Sequence, residues 1–162
     1  MPQYRLQTLL EIRARAKEAA EQAFAIAMQE LAAERQRLKE MEEDLERRKA
    51  ERQQKVMAYL ADVMKKGVGA GGLNMMNRFE ERLKDEEAQC ALEIERQKEA
   101  VKAAEDNVEA KRHEMAEAAK ELKAIEKHKE SWQAQVRKER EAREELTQEE
   151  IGNALHLMRS RR

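Results

Sequence analysis

The stretch Gly67-Val68-Gly69-Ala70-Gly71-Gly72 holds four of the five glycines in the chain. Each glycine costs a helix interior about 1 kcal/mol relative to alanine. Four within six residues therefore predict a break. Upstream, from Tyr4 to Lys66, there is neither Gly nor Pro; downstream, only Gly152 departs from a helical pattern. Lys65 and Lys66 suit the negative end of a helix dipole, and Asn74 suits an N-cap. The reading is helix 1 over about residues 4–66, a loop at 67–72 and helix 2 over about 73–160, with Gly152 as a weak point.

The residues on either side repeat every seven positions. Phe24, Leu31, Leu38 and Leu45 form one series, with Ala27 and Met41 three residues after members of it. Ile94, Val101, Val108, Met115 and Leu122 form another, with Ala104, Ala118, Ile125 and Trp132 in complementary positions. These are the a/d stripes of a coiled coil. After Leu45 the next apolar residue in line is Val56, which reads as an 11-residue stutter. Folding the chain about its glycines sets residue i against residue 139 − i, to within about three positions. Leu31 then faces Val108, Leu38 faces Val101, Leu45 faces Ile94 and Leu60 faces Phe79. The fold class is all-α: one long antiparallel coiled-coil hairpin occupying residues 1–162 as a single unit. The arms are unequal, so helix 2 has no partner in its own chain beyond about residue 136. It nevertheless continues with Val136, Leu146, Ile151, Leu155, Leu157 and Met158.

Composition excludes much else. Of 162 residues, 41% are charged and only 3% aromatic, which is unlike a sheet protein and typical of long helices. The 33 basic and 34 acidic residues are interspersed, so no basic excess points to nucleic acid. No apolar run approaches the ~20 residues that span a bilayer, so direct membrane insertion is not expected. The opening residues lack a signal-peptide pattern. Cys90 is the only cysteine, which suits a reducing compartment. Nucleotide-loop, dinucleotide, HExxH and CxxC motifs are all missing. His113, His128 and His156 are dispersed, and the His128–Trp132 pair reads as packing. No catalytic, cofactor-binding or metal-binding residue is assigned, and an enzyme is not expected.

Three features invite function: the apolar tip (Tyr59, Met64, Leu73, Met75, Met76, Phe79), the apolar-rich opening from Tyr4 to Arg13, and the C-terminal overhang ending in Arg159, Arg161 and Arg162. Methionine-rich surfaces suit adaptable partner binding. From these residues alone, a generic coiled-coil scaffold or a prefoldin-like client-binding adaptor is one reading.

The opening Tyr4-Arg5-Leu6-x-x-Leu9-Leu10-x-Ile12-Arg13, the late Glu126-Lys127-His128-Lys129-Glu130-x-Trp132, and Glu149-Glu150-Ile151 with its basic tail resemble the FliJ/YscO (SctO) family. The resemblance covers the whole chain. It implies the central stalk of the type III secretion ATPase complex, in the cytoplasm at the base of the secretion apparatus. The system is left open between flagellum and injectisome. In that family the end carrying both termini enters the pore of the hexameric ATPase, stimulating its assembly and activity and aiding export. By that resemblance the ATPase-binding residues are Tyr4, Arg5, Leu6, Leu9, Arg13, Arg15, Leu155, Met158, Arg159, Arg161 and Arg162. The tip half reaches the cytoplasmic domain of the export gate, and the matching positions are Val56, Tyr59, Val63, Phe79 and Leu83. Secretion chaperones are a further implied partner. Arg52, Glu86 and Cys90 depart from the family pattern at the edge of the gate patch.

Overall fold

The computed structural model describes residues 2–67 and 69–161. It contains two helices, α1 (Gln7–Lys66) and α2 (Ala70–Ser160), and no strand among the described residues. The fold is the expected antiparallel all-α hairpin. The chain divides into two compact units: one formed by the residues up to Glu21 together with those from His113 onward, the other by Gln22–Arg112.

Both helix starts differ from the sequence reading. α1 begins at Gln7 rather than Tyr4. Tyr4 stands just outside the helix; its carbonyl accepts the Gln7 N–H at 3.2 Å, and its side chain is buried. α2 begins at Ala70, so the break is shorter than 67–72. Gly71 and Gly72 belong to the first helical turn, where Gly69 precedes the helix and accepts the Gly72 N–H at 3.0 Å. A glycine is well tolerated at such a cap. Only Gly67 needs a glycine's conformational freedom: its φ is 63°, and its N–H bonds the Val63 carbonyl at 2.9 Å. That is a left-handed C-terminal cap. Gly152 leaves α2 unbroken.

In the unit of residues 22–112, Ala27, Leu31, Val101 and Val108 form the buried core, with Phe24, Leu38 and Ala104 against it. Ala27 is 2% exposed; its small side chain lets the helices approach.

Beyond Leu45 the stripe takes in polar residues. Arg52 lies seven residues after Leu45, and Tyr59 seven after Arg52. Glu80 and Glu87 precede Ile94 at the same interval. The Arg52 Nε bonds Glu87 at 2.7 Å, and its Nη1 lies 3.6 Å from Glu80. The Arg52 and Glu87 side chains are only 19% and 11% exposed. Between Leu45 and Val56 the half-buried positions are Lys49 and Arg52, so the expected 11-residue step stands, filled by charged residues in the seam. A second polar layer is made by Gln97, buried, whose amide donates to the Glu34 carbonyl at 3.1 Å and to the Glu34 carboxylate.

These contacts also refine the register. Arg52 touches Glu87, its partner by the 139 − i rule, and equally Glu80 one heptad away. A knob in an antiparallel pair sits between successive layers of its neighbour rather than opposite one of them. The effective register is thus about half a heptad from the face-to-face pairing. The polar exteriors carry surface pairs such as Arg48–Asp44 at 3.0 Å and Lys84–Glu80 at 3.1 Å. The Asp44 hydrogen bond holds the exposed Arg48 guanidinium above its usual pKa.

Candidate partner-binding surfaces

The unit carrying the chain ends is built around one aromatic cluster. The Tyr4 hydroxyl lies 2.7 Å from His128 Nδ1. Its ring centroid is 5.2 Å from that of Trp132 and 5.8 Å from that of His128. Lys129 Nζ sits 5.9 Å from the Tyr4 centroid and donates to the Gln7 side-chain oxygen at 2.8 Å. His128 and Trp132 are i,i+4 neighbours on α2, so one face of that helix receives the non-helical Tyr4. Tyr4 against Trp132 and Gln7 against Lys129 follow the same shifted register.

This packing changes the standing of several expected contact residues. Tyr4 is buried and turned onto α2, so its surface is already covered. Arg13 is half-buried and forms an ion pair with Glu121. By contrast Arg5, Leu6, Leu9 and Arg15 are exposed, as are Leu155, Met158, Arg159 and Arg161. Arg162 lies outside the described residues.

Every residue from Arg137 to Arg161 is exposed, though the helix persists to Ser160. Within this segment Leu146, Ile151, Leu155, Leu157 and Met158 are each more than half exposed. Ile151, Leu155 and Met158 are spaced i, i+4, i+7 and so share one face. From Ile151 to Arg161 there is no acidic residue, while Arg159 and Arg161 are basic. An apolar face with a cationic end is thus held ready on a formed helix.

The tip half behaves differently. Val56, Tyr59, Val63, Phe79 and Leu83 are all half-buried, so the expected gate set lies in or beside the seam. The Tyr59 hydroxyl donates to the Gly72 carbonyl at 3.4 Å, and the Arg82 guanidinium lies 5.5 Å from the Phe79 ring centroid. Tyr59, not Leu60, continues the heptad that runs through Arg52, which corrects the Leu60–Phe79 layer. Leu60 is 37% exposed and falls on a separate stripe, Met57–Leu60–Met64, spaced i, i+3, i+7. The sequence reading noted Met64 but missed this stripe; its spacing was the available signal.

Chemistry is sparse by comparison. No group of three or more His, Cys, Asp or Glu residues among those described could hold a metal. A surface groove of about 260 Å³ beside Arg52 is lined by equal numbers of cations and anions plus Leu83. Cys90 is free and half-buried. Among the described residues, no helix is long and apolar enough to cross a membrane.

Known proteins supply the context for these surfaces. No curated protein matches this chain in sequence. Its fold is similar to that of a candidate YscO homologue from Chlamydia trachomatis, at 25% identity and a TM-score of 0.81, covering 100% of this chain and 99% of that one. The family model for YscO-like proteins matches residues 1–162. A full-length match on an antiparallel hairpin with uncovered apolar surfaces places the chain in the YscO-like family, stalk proteins of type III secretion.

Proposed function

We propose that this protein is the central stalk of a type III secretion export ATPase complex. The α2 segment 137–161 and the exposed opening residues enter the pore of the hexameric ATPase, and the tip half contacts the cytoplasmic domain of the export gate. The uncovered helix 137–161 is the observation that carries this reading. Its apolar residues gain by burial in a partner, and ~25 cal/mol per Å² of apolar surface is available for that gain. The helix is already formed, so docking has little further ordering cost. Arg5, Arg15, Arg159 and Arg161 supply charge at the rim, with Leu6, Leu9, Leu155 and Met158 as apolar contacts. Tyr4 and Arg13 act indirectly by holding the start of α1 on α2.

A stalk of this kind needs no catalytic residue. One asymmetric pair of helices in a sixfold pore touches the surrounding subunits unequally, which biases their nucleotide states and stimulates the ATPase. At the other end, Val56, Tyr59, Val63, Phe79 and Leu83 shape the gate contact, with Met57, Leu60 and Met64 as the accessible apolar area beside them. Work at the base of the secretion apparatus in the cytoplasm, and handling of secretion chaperones, follow from the same reading.

The decisive experiment removes residues 137–162. The expected protein remains a folded hairpin by circular dichroism, loses capture by the cognate export ATPase, and no longer raises its ATP turnover. Retention of both binding and stimulation overturns the assignment of this segment.

A further inference from the structure

We propose that Met57 and Met64 form an oxidant-sensitive site on the tip half of α1. They lie seven residues apart with Leu60 between them, so their thioethers share one helix face. Met57 is 71% and Met64 85% exposed. Met41, Met76 and Met115 are partly buried. The neighbouring series Val56, Tyr59 and Val63 is half-buried, so the face carrying Met57 and Met64 can change polarity without opening the seam.

The chemistry is oxygen transfer from a peroxide. A sulfur lone pair attacks the terminal peroxide oxygen, an S–O bond forms and the O–O bond breaks. The departing hydroxide takes up the proton released by the transferred oxygen and leaves as water. Sulfur is oxidised to the sulfoxide, and the peroxide is reduced. The product replaces a flexible apolar side chain with a polar one, which disrupts methionine-rich contacts and is reversed by sulfoxide reductases. On the reading that this half of the hairpin docks on the export gate, oxidation of the stripe is a reversible means of releasing it.

The test treats the full chain with hydrogen peroxide and follows oxygen uptake by mass spectrometry of tryptic peptides. Peptide 56–65 contains both Met57 and Met64, whereas Met41 and Met115 fall in peptides of their own. Met158, 71% exposed, is an internal standard for an accessible methionine. Peptide 56–65 is expected to gain two oxygens at a rate close to that of Met158 and about fivefold or more ahead of Met41 and Met115, with helicity and thermal midpoint unchanged. Equal rates at Met41 and Met115, or loss of helix in step with oxidation of 56–65, overturns the proposal.

Binding to the isolated cytoplasmic gate domain is measured in the same samples. Loss on oxidation and restoration by sulfoxide reductase support the release mechanism. Binding that survives full oxidation of both residues overturns it. Absence of binding before oxidation overturns the docking reading, and release with it, while the peptide map still decides the reactivity of the site.

Discussion

Two stretches of α2 have similar charge-rich composition and opposite fates. Between Ile94 and Leu122, every heptad places Ile94, Val101, Val108 or Leu122 in a buried position, apart from the half-buried Met115. From Arg137 to Arg161 every residue is exposed, although Leu146, Ile151 and Leu155 are as apolar as the residues upstream. Helix is present in both. Burial in a seam is therefore not what makes this sequence helical; alanine, glutamate, lysine and arginine provide propensity on their own. The seam decides instead which apolar residues are consumed within the chain and which remain for a partner.

The contrast can be broken by substitution. The largest effect is expected in the packed stretch of residues 22–112. Leu31→Ala removes a buried side chain from the Ala27–Val101–Val108 cluster, at a cost of about 2–4 kcal/mol in urea unfolding. A loss below about 1 kcal/mol would mean that the seam is loosely packed.

An intermediate effect is expected where the seam is polar. Arg52→Ala leaves Glu87 in the seam without its 2.7 Å partner, costing about 1–3 kcal/mol. Replacing Arg52 and Glu87 together by leucine is expected to restore or exceed the original stability, because an apolar pair avoids desolvating two charges. If the double variant is as unstable as Arg52→Ala, the ion pair supplies packing that leucine cannot imitate. The smallest stability effect belongs to the uncovered stretch. Leu155→Ala should change unfolding by less than about 0.5 kcal/mol, yet weaken ATPase capture by about tenfold or more. A large loss of stability would show that Leu155 is covered within the free chain.

Much of the fold was legible in residue order. The glycine cluster marked the reversal, and the heptads of Leu31, Leu38, Val101 and Val108 marked the seam. The tip was misread by one residue because only apolar side chains were followed. Arg52 holds a heptad position, and counting it leads to Tyr59 rather than Leu60. The register was displaced because knobs settle between layers, which identity at a single position does not encode. Tyr4 was assigned to helix 1 because nothing local stops a helix there; its departure depends on Trp132 and His128, more than 120 residues away. The exposed C-terminal face was anticipated from unequal arm lengths, whereas the Met57–Leu60–Met64 stripe stood beside a stronger seam pattern and was hidden by it.

The Tyr4 cluster turns the molecule into its own spectroscopic reporter. Trp132 is the only tryptophan, and it lies 5.2 Å from the Tyr4 ring. Intrinsic emission excited at the red edge therefore arises at one place, where the start of α1 meets α2, while the far-ultraviolet dichroism sums over both helices. If the two signals melt together, the hairpin loses its terminal clasp and its length in one transition. If emission shifts first, the clasp opens while the helices survive, and the temperature gap between the curves measures how independently that end can let go.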